Sequence, residues 1–95
     1  FRKGILFIRL KGDLNKDTIK GIIDKDFKYV VLNINDMYSI DSYSIKYLNK
    51  IYKLYENNNN KFIICDKFNV SRKLLRDIPK INREYDAFEL FERMI

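Results

Sequence analysis

YVVLNINDMYSIDSYSIKYLNKIYKLYENNNNKFIIC, residues 29–65, decides how this chain folds. It opens on YVVLNI (29–34) and closes on KFIIC (61–65), two runs that are apolar on consecutive residues rather than on alternate ones. A strand with one face in water alternates. A strand covered on both faces does not, and such strands belong to mostly parallel sheets packed with helices. Between the runs, Ile45, Leu48, Ile51, Tyr52 and Tyr55 recur at spacings of three and four, interleaved with Lys46, Asn49, Lys50 and Lys53. That is the apolar stripe and the solvated face of one helix, running over about 41–56. The four asparagines at 57–60 then read as a turn, because asparagine tolerates left-handed backbone.

The pattern extends in both directions. Upstream, ILFIRL (5–10) reads as another strand, and Gly12 is expected to serve the turn after it. Asn15 is placed to cap a short helix carrying Ile19, Ile22 and Ile23 on one side. Downstream, Asn69 stands in front of VSRKLLRDI (70–78), which reads as a third helix stopped by Pro79, the only proline. Residues 81–85 read as a short edge strand, and DAFELFERM (86–94) as a closing helix with Leu90, Phe91 and Met94 buried. This alternation predicts an α/β fold in a single domain over 1–95: a mostly parallel sheet of four or five strands, four helices and right-handed crossovers. The chain begins at Phe1 rather than Met, so part of the N-terminus, with some of the first edge strand, is expected to be missing.

At 95 residues and 46% hydrophobic content, there is enough apolar material for one small core. No apolar run approaches the roughly 18 residues of a membrane span, and nothing resembles a signal peptide. A cytoplasmic protein without a membrane partner is therefore expected, and a monomer. The single cysteine, Cys65, excludes an internal disulfide, suits a reducing compartment and reads as a buried strand residue. A net charge of +6 invites nucleic acid or an acidic surface as partner. However, the 19 basic residues are interleaved with 13 acids, with no Lys/Arg run, zinc-ligand spacing or glycine-rich motif. Direct nucleic-acid binding is not expected.

Catalytic equipment is also missing. The chain has no histidine, the commonest general base and metal ligand. Asp13, Asp17, Asp24 and Asp26 fall at cap and loop positions around the first helix, and Gly4, Gly12 and Gly21 are too far apart for a phosphate loop. Neither an enzyme nor a cofactor or metal site is expected. What remains is SIDSYS (39–44), with Asp41-Ser42 directly in front of the long helix. Aspartate is a good N-cap and a serine after it costs little, so this dipeptide serves as a plain helix start. It serves equally as a hydroxyl and an acid that a partner reads and modifies. The residues alone leave both readings open.

Their context resembles a known family. Residues 29–65, with a buried strand, a short loop, Ile40-Asp41-Ser42-Tyr43-Ser44, a long helix, a turn and a second buried strand, are similar to the core of the STAS domain of bacterial anti-sigma factor antagonists. There the motif is a hydrophobic residue followed by Asp-Ser-Ser/Thr-Gly, and glycines stand where this chain has 57–60. ILFIRLKGDLNKDT upstream resembles the family's strand followed by Gly-Glu-Leu-Asp and a Thr; NVSRKLLRDIPKI and DAFELF resemble its last two helices. The similarity covers nearly the whole chain and is closest to the sporulation-type antagonists.

The resemblance implies a role for particular positions. Ser42 stands where these antagonists are phosphorylated by a partner that is both anti-sigma factor and ATP-dependent serine kinase, and Asp41 is the acid before it. Unphosphorylated antagonist binds the kinase and frees a sigma factor for transcription; phosphorylated antagonist releases the kinase. Asn15, where the family more often has Asp, is expected to face the partner. Two residues depart from the pattern. Tyr43 replaces the second Ser or Thr and is expected to point into the docking site. Ser44 replaces Gly, adding a small side chain to the partner contact and a second-choice acceptor. The same resemblance allows a non-switching STAS module, linked to a transporter, a stress-signalling assembly or a lipid-transport ATPase.

Overall fold

A computed structural model describes residues 4–19 and 27–94. In chain order these form β1 (Ile5–Leu14), α1 (Lys16–Ile19), β2 (Tyr29–Ile40), α2 (Ser42–Asn57), β3 (Lys61–Cys65), β4 (Lys80–Ile81) and α3 (Asp86–Met94). The strands make one sheet in the order β1-β2-β3-β4, and every neighbouring pair is parallel. The expected α/β architecture with a parallel sheet is present, with three helices among the described residues rather than four.

Alternation across the sheet explains the consecutive apolar runs. Val30, Leu32 and Ile34 of β2 and Phe62 and Ile64 of β3 face Leu48, Ile51 and Tyr55 of α2, with Ile19 of α1 beside them. Val31, Ile63 and Cys65 point the other way, into a second cluster with Ala87 and Phe91 of α3. Ring contacts join α3 to the sheet: Tyr29 to Phe91 at 5.2 Å and Phe7 to Phe88 at 5.6 Å between centroids. On this side Arg9 of β1 grips Glu84 through two hydrogen bonds of 2.8 Å, and the Asn33 side-chain amide donates to the same carboxylate at 2.8 Å. Three separate parts of the chain meet at that carboxylate. Of the residues expected to be buried in α3, Phe91 is buried and Leu90 half-buried. The Met94 side chain, like Ile22 and Ile23, lies outside the described residues.

The structure corrects the sequence reading in three places. First, β1 and β2 run on past 10 and 34, to Leu14 and Ile40, where polar residues hide the strand pattern. Register slips between Arg9 and Lys11 and between Gly12 and Asp13 accommodate extra residues in β2. Tyr38, the extra residue of the second slip, is 85% exposed. Gly12, expected in a turn, lies inside β1 at that slip with φ +80°, a conformation that favours glycine.

Second, VSRKLLRDI is a series of turns. Asn69 has φ +61°, unlike the extended backbone of an N-cap, so it does not start a helix. Asp66 ties this segment instead, its side chain accepting from the amides of Val70 (3.0 Å) and Ser71 (2.9 Å) and from the Ser71 hydroxyl (2.6 Å). Only isolated turn bonds follow, Leu75 N to Ser71 O at 2.8 Å and Ile78 N to Leu75 O at 3.2 Å. Pro79 disfavours helical backbone at Ile78. The segment still delivers Leu75 and Ile78 to the core beside α2. Third, the last strand is Lys80–Ile81, pairing with Ile64 and Cys65, not 81–85. The Lys80 ammonium, its pKa lowered chiefly by burial, donates to the carbonyls of Leu75 and Ile78.

Candidate functional site

The carboxyl ends of parallel strands are where open α/β sheets place their sites, because the loops leading into the helices gather there. At that edge the main chain passes from β2 into α2. Asp41 is extended (φ −89°, ψ 170°) and accepts at 2.8 Å from the Ser44 amide, the arrangement of a helix N-cap. Its backbone amide donates to the Leu14 carbonyl at 3.0 Å, and its second carboxyl oxygen accepts from the Lys16 amide at 3.3 Å. One side chain thus caps α2 and ties the start of α1 to it.

Ser42 is the first residue of α2 and is exposed. Its hydroxyl makes no hydrogen bond to any described residue. Tyr43 is exposed beside it, stacked on Tyr47 with 6.4 Å between centroids, with the Lys16 ammonium 5.9 Å from its ring. Asn15 is half-buried at the same edge, its Oδ1 accepting from the amides of Asp17 (3.0 Å) and Thr18 (3.2 Å). It caps α1, as expected from sequence, and its side-chain oxygen is engaged in doing so.

Ser44 requires a correction. It is 0% exposed and lies under the start of the helix, so it offers a partner neither surface nor an acceptor hydroxyl. Its Oγ lies near enough to Asp41 to favour the charged carboxyl, without full hydrogen-bond geometry to any described atom. The Ser44 hydroxyl first, then the Ser44 and Lys16 amides, hold the Asp41 carboxyl below the usual carboxylate range. The structure therefore brings together Asn15, Asp41, Ser42 and Tyr43, and adds Lys16, whose place over Tyr43 no sequence spacing signals. Cys65 is buried in β3, with burial chiefly raising its thiol pKa, as suits a structural residue.

A pH dependence follows. Because the Asp41 carboxyl ionises more readily folded than unfolded, its contribution to stability is present above about pH 4 and is lost as pH falls through its folded pKa. An asparagine in its place would cap the helix equally well while carrying no charge. The melting temperature of wild type is therefore expected to exceed that of Asp41→Asn near neutrality. The difference is expected to shrink and then vanish as the pH falls through the lowered folded pKa of Asp41. A difference independent of pH would show that the charge of Asp41 does nothing for the fold.

No family model matches the sequence, and no curated protein matches it. Among the described residues, no helix is long and apolar enough to cross a membrane.

Proposed function

We propose that this chain is a protein-docking module switched by phosphorylation of Ser42, working in the manner of an anti-sigma factor antagonist. One observation carries the reading: an exposed, unengaged hydroxyl stands on the first residue of a 16-residue helix, behind an aspartate that is already occupied as the cap. Ser42 is thus spare. A phosphate there adds about −1.5 to −2 charges and three acceptor oxygens. The helix dipole favours an anion at this end by about 0.3–1 kcal/mol, and Lys16 supplies a nearby cation while Asp41 opposes it. The domain itself tolerates the change. A partner surface shaped around Ser42 and the Tyr43 ring does not, because it meets a bulky dianion in place of a hydroxyl.

The partner in this reading is an ATP-dependent serine kinase that also holds a sigma factor. The γ-phosphoryl group of ATP passes to Ser42 Oγ as its bond to the β-phosphate oxygen breaks, ADP and the hydroxyl proton leave, and the docked complex then separates. Incubation with such a kinase and ATP is expected to add one phosphate to wild type and none to Ser42→Ala. Failure of the kinase to modify wild type rejects the switch.

A second reading, a non-switching docking module, draws on the exposed Tyr43, held against the half-buried Tyr47, which offers apolar contact area whether or not Ser42 is modified. Tyr43→Ala weakens partner binding in both readings; Ser42→Asp does so only if the switch operates.

A further inference from the structure

The crossover between β3 and β4 carries a surface that neither the core nor the Ser42 edge uses. Phe68, Val70 and Leu74 are 66%, 56% and 45% exposed, three large apolar side chains within seven residues. The same stretch exposes Lys67, Arg72, Lys73 and Arg76. Among the described residues none of Arg72, Lys73 and Arg76 forms an ion pair. The Lys67 ammonium rests 5.7 Å from the Phe68 ring. Asp77 is the one exposed acid of the segment.

This surface is held from beneath. Asp66 fastens Val70 and Ser71, the Lys67 amide donates to Asn35 Oδ1 at 2.6 Å, and Leu75 and Ile78 are inserted into the core. The Lys80 ammonium holds the carbonyls of Leu75 and Ile78. A partner therefore meets a patch that is already ordered, and binding loses little conformational freedom there.

We propose that the outer surface of this crossover is a second docking site, for an acidic amphipathic segment of a partner protein. Unpaired cations around solvent-facing aliphatic side chains call for a ligand that carries carboxylates and apolar groups together. Nucleic acid would use the cations and stack one base on the Phe68 ring, but the aliphatic Val70 and Leu74 give neighbouring bases no further ring. An anionic bilayer would press Asp77 against like charge across a plane. A protein segment can leave a gap or set a cation opposite Asp77. The site is independent of Ser42 phosphorylation.

The test uses a labelled, helix-forming peptide with Leu and Phe on one face and Glu on the rest, titrated against the whole chain by fluorescence anisotropy. The comparison probes are a scrambled peptide of the same composition, a Glu-only peptide, phosphatidylserine vesicles and a DNA duplex. The amphipathic peptide is expected to bind at least about tenfold more tightly than the scrambled one. Phe68→Ser/Val70→Ser/Leu74→Ser and Arg72→Glu/Lys73→Glu/Arg76→Glu are each expected to weaken it by at least about tenfold, and Ser42→Asp to leave it unchanged. If the triple serine variant fails to fold, Phe68→Ser alone makes the same comparison. No binding, equal binding of the scrambled or Glu-only peptide, or displacement of the peptide by vesicles or DNA would each overturn the proposal.

Discussion

Phe62→Ala is expected to remove about 3–5 kcal/mol of stability, a large share of the roughly 5–15 kcal/mol typical of a small domain. Phe62 is 1% exposed on β3, an inner strand of the sheet, with its ring 5.7 Å from that of Tyr55. It belongs to the cluster in which α2 contributes Leu48 and Ile51 and the crossover contributes Leu75 and Ile78. Truncation leaves a void between helix, sheet and crossover. The backbone of β3 is fixed by β2 on one side and β4 on the other, so the walls cannot close over it. With a urea slope of about 1–2 kcal/mol per molar, the unfolding midpoint followed by circular dichroism falls by roughly 1.5 M or more. Tyr38→Ala, at the exposed slip in β2, provides the contrast and is expected to change stability by no more than about 0.5 kcal/mol. A loss below about 1 kcal/mol at Phe62 would mean that this ring does not fill the core.

Asp66→Ala is expected to come second. Asp66 is 4% exposed, and its two side-chain oxygens receive three donors from Val70 and Ser71. Alanine leaves the buried Ser71 hydroxyl and two amides without that acceptor, at about 1–3 kcal/mol for each donor that water fails to reach. The start of the crossover is released with them, so a total of about 3 kcal/mol is expected, together with faster proteolysis after Arg72 or Lys73. Asp66→Asn keeps one acceptor oxygen and is expected to lose about half as much. Equal melting temperatures for Asp66→Ala and wild type would remove this side chain from the account of how the segment is held.

The contrast between α2 and the crossover shows where the sequence is legible. In α2 the period of the apolar residues, an aspartate cap and the left-handed Asn59 after the helix all point to one element, and the structure has it at Ser42–Asn57. Local preference and tertiary packing agree there. In 70–78 the composition favours a helix, but the buried Asp66 side chain captures the first two amides and Pro79 closes the other end. Tertiary anchoring of the segment, through Asp66, the left-handed Asn69 and the buried Leu75 and Ile78, outweighs propensity within it, and no periodicity reports that. Residues 35–40 were opaque for another reason: a slipped strand pair breaks the alternation by which strands are recognised. At the candidate site, Asp41 and Ser42 stand out in the sequence because they precede a helix. The burial of Ser44 and the approach of Lys16 to Tyr43 depend on how α1 and α2 meet.

The proposed switch stands or falls with what a phosphate on Ser42 does to docking. The direct measurement is the dissociation constant of the proposed serine kinase partner for the unmodified chain and for the same chain phosphorylated at Ser42, taken by calorimetry alongside the melting temperature of each. The account expects affinity to fall about a hundredfold, roughly 2.7 kcal/mol, while the melting temperature stays within a few degrees. Equal affinities, or a phosphorylated chain that no longer folds, would contradict it.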